Sequence, residues 1–219
     1  MFDTRSTTNK RRSRLRATIL ICFALFTALP FAEMPTAERY VPEVVDMRSQ
    51  IDFGHFKPQH VNQKDIIVIH STYSIHDYAY SLDGVLKQFR HYNVCSHYII
   101  DRDGRIIRAV DDDCIAYHAG RSTLPGTDRH NINANAFGIE IINTPWSAPT
   151  PRQYAALLYL TGYLRHRYRI DHIVRHSDIS PQLKDDPWLF DWQRFNRALK
   201  PQVRPRKKGD RKQETGDSI

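Results

Sequence analysis

Two short apolar runs constrain this chain more than any other feature. Residues 65–70 read DIIVIH and residues 137–142 read FGIEII. Each is too short for a buried helix and contains several β-branched residues. Runs of this kind suit strands buried on both faces, as in a sheet covered by helices. Helical spacing appears between and after them. Ser81–Tyr92 places Leu82, Val85, Leu86 and Phe89 on one stripe. Pro151–Tyr168 opens on a proline and carries Tyr154, Leu157, Leu158 and Leu164 on an apolar face. Ser96–Asp101 and Arg105–Val110 are strand-like runs joined by Arg102-Asp103-Gly104, a hairpin signal. Ile170–Val174 reads as a short strand, and a last short helix is expected near Trp192–Leu199. Strands alternating with helices predict an α/β fold: a single domain with a central mixed β-sheet flanked by helices.

The expected domain spans residues 61–199. Residues 33–60, with Pro35, Pro42 and Pro58, read as an extended lead-in, and 200–219 as a basic disordered tail. The polar stretch from Asp111 to Asn135 contains Gly120, Pro125 and Gly126. It is too long for a simple connection, and loops of that size are usually functional or mobile.

The net charge of +8 comes from the ends. Residues 1–32 carry six Lys/Arg against Asp3, and 200–219 carry seven against three acids. The remaining span is close to neutral, which argues against a folded nucleic-acid-binding face. The basic ends suit electrostatic contact with anionic envelope polymers or lipid head groups instead. At the N-terminus, Lys10, Arg11, Arg12, Arg14 and Arg16 precede an apolar run from Ala17 to Phe31, followed by Ala32. That order describes residues 1–32 as a secretory signal peptide or, if uncleaved, a membrane anchor. The run is shorter than the roughly 20 residues of a spanning helix. An exported, periplasmic or secreted protein is expected. With the signal removed, Cys95 and Cys114 remain, either as a disulfide or as two buried thiols. Nothing in the sequence speaks to oligomeric state.

All eleven histidines lie between His55 and His176, which makes a metal or acid–base site worth seeking. His70 ends an apolar run, His176 lies just beyond Val174, and sites in α/β sheets form where strands run out into loops. Asp186 follows His176 across a loop containing Pro181. Singly, each has an ordinary reading as a hydrogen-bonded or turn residue. Together they supply the two imidazoles and one carboxylate of a zinc site with its fourth position open. Lys184, two residues before Asp186, would share its side in extended chain and could steady an oxyanion. Glu140 interrupts an apolar strand, which is costly for a carboxylate unless it is paired or used. It is either tied up structurally or serves as a proton acceptor.

The motifs DIIVIHST, CSHYIIDRDGRI, AYHAG, FGIEI and RHSDISPQLKDDP occur in that order between about Asp65 and Trp192. In this they resemble the type-2 N-acetylmuramoyl-L-alanine amidases, a family related to peptidoglycan recognition proteins and phage lysozyme-type amidases. The resemblance implies a peptidoglycan-recognition-protein-like fold and one Zn2+ ion held by His70, His176 and Asp186. It implies catalytic roles for Glu140 and Lys184. The substrate would be peptidoglycan or muropeptides, cut between N-acetylmuramic acid and L-alanine. His118, in AYHAG, would line the substrate groove, and His97 would give structural support. Trp188 stands where the family often has glycine and would shape one wall of the groove. A peptidoglycan-binding module without catalysis is the alternative reading.

Overall fold

The computed structural model describes residues 40–60 and 62–200, so the N-terminal basic–apolar segment and the tail after Lys200 lie outside the described residues. Among the described residues no helix is long and apolar enough to cross a membrane.

Six strands form one mixed sheet. In chain order they are β1 (Val44–Asp46), β3 (Ile66–Thr72), β4 (Tyr98–Ile100), β5 (Ile106–Arg108), β7 (Ala136–Ile142) and β8 (His172–Arg175). Their order across the sheet is β1-β5-β4-β7-β3-β8. β3 runs parallel to both neighbours, β7 and β8, and β4 is parallel to β7 and antiparallel to β5. β2 (His55–Phe56) and β6 (Ile115–Ala116) form a separate antiparallel pair. The two apolar runs are thus adjacent interior strands, and every residue of β3 and β7 is buried. Withdrawing an Ile or Val side chain from water contributes about 1.5–3 kcal/mol, so Ile66–Ile69 alone anchor the sheet strongly.

Alternation divides the sheet's two faces. Ile67, Ile69, Phe137, Ile139 and Ile141 pack under α2 (Pro151–Arg167) and α4 (Trp192–Leu199). On the opposite face, α1 (Leu82–Tyr92) buries Val85 and Phe89 against Ile99, Ile107 and Ile142. The helix boundaries follow their caps. Ser81 accepts from the Gly84 N–H, Asn93 closes α1 in the left-handed region, and Thr150 with Gln153 forms a capping box ahead of α2. Gln153 also donates to the carbonyls of Ile100 and Ile142, tying α2 to the sheet.

The described part of the lead-in belongs to the sheet: β1 pairs in parallel with β5 and forms one edge. The hairpin forms as the sequence predicts, with Gly104 at φ +86 and Asp101 accepting from the N–H groups of Asp103 and Arg105. The long stretch 111–135 lies against the sheet rather than away from it. Ala119, Leu124 and Ile132 pack on Ile66 and Val68, and Arg129 makes two bonds, of 2.7 and 2.8 Å, to Asp65. Cys95 and Cys114 are free thiols, both buried near α1. A one-turn helix that the sequence pattern does not announce, α3 (His176–Ile179), follows β8 directly. The N–H of Arg175 donates to Asp178 and starts it.

Candidate metal centre

The parallel register of β3 and β7 sets His70 directly beside Glu140, on the face opposite α2. β8 pairs with β3 up to Ile69 and Arg175, so the next residue, His176, arrives level with His70. The His70 and His176 rings are 4.3 Å apart at 70°. Asp186 reaches the same point from the loop after α3. Its carboxylate is 3.0 Å from His176 Nδ1 and 3.7 Å from His70 Nδ1. One donor atom from each of the three residues lies within 4.8 Å of the others.

Asp186 is held from behind. The Ser71 N–H donates to its Oδ2 at 3.1 Å. The Ser71 hydroxyl donates to Asn143 Oδ1 at 2.6 Å and accepts from the Trp188 N–H, while Asn143 Nδ2 donates to the Trp188 carbonyl. This closed ring of bonds fastens the 186–188 loop to the ends of β3 and β7. Sequence reasoning missed Asn143, although its place immediately after FGIEII was a signal.

Burial pushes His70 down to about 4, with His176 adding to the effect. Its ring is therefore neutral near pH 7. Burial alone would raise Asp186, but the two histidines overcome it and hold the carboxyl below the usual range. An imidazole lone pair facing a carboxylate is repulsive unless a proton or cation lies between. The nitrogen, nitrogen and oxygen donors match the set zinc prefers. A second group, Asp111, Asp113 and Cys114, is a poorer candidate because Arg48 and Lys57 already pair with its carboxylates.

Glu140 is 8% exposed, and its Oε1 accepts from the Ser96 hydroxyl at 3.3 Å. Oε2 is buried without a partner among the described residues. Burial first, then the Asp186 charge, lifts its carboxyl to about 8, with Ser96 and Lys184 pulling the other way. Lys184 is exposed. It lines, with Glu140, Trp188 and the three clustered residues, a cleft of about 610 Å³. Trp188 is fixed by a 2.9 Å bond from Nε1 to Asp185 and by edge-to-face contact with Tyr73, which also meets Trp146. His118 lines the cleft too, but its Nδ1 is 3.0 Å from His70 Nε2. His97 is fully buried between the Gly138 N–H and the Cys114 carbonyl.

Sheet and site together define an α/β protein with a candidate metal centre of two histidines and a carboxylate. Residues 60–188 match the family described as N-acetylmuramoyl-L-alanine amidase, Amidase_2, and the chain belongs to that family. The 1,6-anhydro-N-acetylmuramyl-L-alanine amidase AmpD of Enterobacter cloacae is 37% identical over 115 residues, 51% of this chain and 60% of that relative. The N-acetylmuramoyl-L-alanine amidase AmiD of Escherichia coli K12 is 34% identical over 149 residues, 59% of this chain and 51% of the relative. The chain therefore spans only about half to 60% of the length of these curated relatives. A crystal structure of AmpD superposes with a TM-score of 0.60 at 27% identity, covering 76% of this chain and 99% of that one. AmiD in complex with anhydro-N-acetylmuramic acid-L-Ala-D-gamma-Glu-L-Lys superposes at 0.55 with 30% identity, covering 64% and 59%.

Proposed function

We propose that this protein is a zinc-dependent amidase, cutting the bond between N-acetylmuramic acid and L-alanine in peptidoglycan or its soluble muropeptides. The observation that carries this reading is the in-register placement of Glu140 beside His70, with His176 and Asp186 converging on the same point. A binding module needs no buried carboxyl beside such a cluster. His70, His176 and Asp186 would hold one zinc ion, and zinc in such a site supplies Lewis acidity to water or a carbonyl oxygen.

The chain's own groups cover the rest of an amide hydrolysis. Glu140 takes the proton from the attacking water and returns it to the departing L-alanine amine. Burial and the Asp186 charge favour its protonated form in the metal-free protein, and a cation held beside it would favour the carboxylate that accepts the proton. Lys184, at the cleft rim, offers an ammonium to the oxyanion formed when water adds to the carbonyl. Trp188 and Tyr73 wall the cleft, so substrate enters past aromatic surface. The names and ligands of the AmpD and AmiD relatives favour anhydro-muropeptides among the substrates. We further propose export through residues 1–32, a catalytic domain over 61–199 supported by the lead-in, and envelope contact by the basic ends.

The test is mass spectrometry of products from a defined anhydro-muropeptide and from intact sacculi, with zinc content measured in the same sample. New L-alanine amino termini that vanish on chelation are expected. Zinc-loaded protein that binds muropeptide without releasing stem peptide would leave the binding-module reading in its place.

A further inference from the structure

Three buried histidines meet in succession at the cleft, two of which, His70 and His118, line it. His97 lies 5.9 Å from His118, and His118 lies 5.0 Å from His70, each pair edge to face. His70 turns its two nitrogens in opposite directions: Nδ1 toward Asp186 and Nε2 toward His118 Nδ1, 3.0 Å away. A neutral imidazole carries one proton. If Nδ1 offers its lone pair to a cation, the proton must sit on Nε2, and the group facing Nε2 must accept it.

We infer that His118 is a positioning residue for the metal centre: its Nδ1 accepts the Nε2–H of His70 and so holds that ring in the tautomer and orientation that present Nδ1 to the metal. The inference rests on the zinc reading of the site.

The His118 ring is held by its neighbours in the fold, while its Nε2, which keeps the proton in this arrangement, has no hydrogen-bond partner among the described residues. Asn133 Oδ1 accepts from the N–H groups of both His118 and Ala119, at 3.1 and 2.8 Å, pinning the backbone that carries the ring. Gly138 lies beneath it. A Cβ there would sit 2.5 Å from His118 Cγ and 2.8 Å from Nδ1, so the ring occupies the space a side chain on β7 would fill. His97 abuts it and is itself fixed by the Gly138 N–H and the Cys114 carbonyl. His118 is 9% exposed and its Nδ1 is committed to His70. Its influence on the reaction therefore passes through the ligand it orients, which goes beyond lining the groove. The loop 111–135 acquires a chemical role as well, because it delivers an acceptor to the far side of His70.

The experiment measures zinc affinity of the full chain by competition with a chromophoric chelator, comparing wild type with His118→Phe and His118→Asn. Phenylalanine keeps a ring but has no acceptor, whereas the asparagine amide oxygen falls near the place of Nδ1. Loss of an orienting partner typically weakens metal binding roughly 10–100-fold. That loss is expected for His118→Phe, with most of it restored in His118→Asn. Nitrogen NMR of the zinc-loaded wild type supplies a readout independent of how the variants fold. It should show the His70 proton on Nε2, with a coupling across the N–H···N bond to His118 Nδ1. A proton on His118 Nδ1, or unchanged zinc affinity in a folded His118→Phe protein, overturns the inference. A wild type that binds no zinc overturns the functional reading instead.

Discussion

Gly138 and His118 occupy one another's space: the glycine has no side chain because the imidazole stands where its Cβ would be. Gly138→Ala should push the His118 ring off its place beneath the cleft. Overpacking of this kind typically costs about 1–3 kcal/mol. Thermal melts should show the loss, and chelator competition should show weaker zinc binding in the folded fraction. An alanine variant with wild-type stability and zinc affinity would mean that the ring has room to move.

Glu140→Gln should lower amidase turnover by roughly 10²–10⁴ while leaving zinc content unchanged. The same variant has a pH signature in the metal-free protein. Folding raises the Glu140 carboxyl from 4.5 to about 8, so across that window the native state holds a proton the unfolded chain has released. Stability contributed by this group therefore falls as pH rises through the window. Urea titrations of chelator-treated protein should show the glutamine variant gaining on wild type as pH increases. A difference that is flat between about pH 5 and 8 would contradict the burial of the carboxyl.

Asn143→Ala should loosen the Asp186 loop, because it removes the acceptor of Ser71 and the donor to the Trp188 carbonyl. Stranding buried partners costs about 1–3 kcal/mol. Zinc should dissociate faster from this variant in stopped-flow chelation, even where the native fold persists at low temperature.

Arg129→Ala should release the loop 111–135 from the start of β3. The paired bonds to Asp65 are only partly buried and reach solvent, which limits the stability loss to about 1 kcal/mol. Arg129 holds the Asp65 carboxyl below its usual 3.8. The contribution of the pair is thus present above that value and lost as pH falls beneath it. Hydrogen exchange of residues 111–135 should rise in the variant at neutral pH, and the two proteins should converge in acid.

Cys95 should resist alkylation in the native protein, since burial pushes its thiol up to about 12. Peptide mass spectrometry after a brief pulse of reagent should find Cys95 labelled only once the chain is unfolded.

The sequence disclosed the strands whose signal is local. β3 and β7 are legible because β-branched apolar runs have few other uses, and α1 and α2 because stripe and cap coincide. β1 is not legible: Val44–Asp46 is three residues long, and its partner β5 lies far along the chain. α3 is a single turn made by the Arg175–Asp178 cap at the end of a strand, which no helical period announces. For the site, residue types and order suggested the cluster, while the parallel registers of β3 with β7 and β8 brought its members level. What stayed hidden was directional. Nothing in AYHAG says which nitrogen of His118 faces which nitrogen of His70.

The register that sets His70, Glu140 and His176 side by side also decides when the centre can exist. These residues sit far apart in the chain, on or just beyond three adjacent parallel strands, and such long-range pairings form late because their loop closures are costly. The short segment 176–186 carries two of the three ligands, and the third, His70, joins them only when β3 pairs with β8. The complete set follows the pairing of β3 with β7 and β8, so metal held by all three ligands is a seal on the finished sheet rather than its seed.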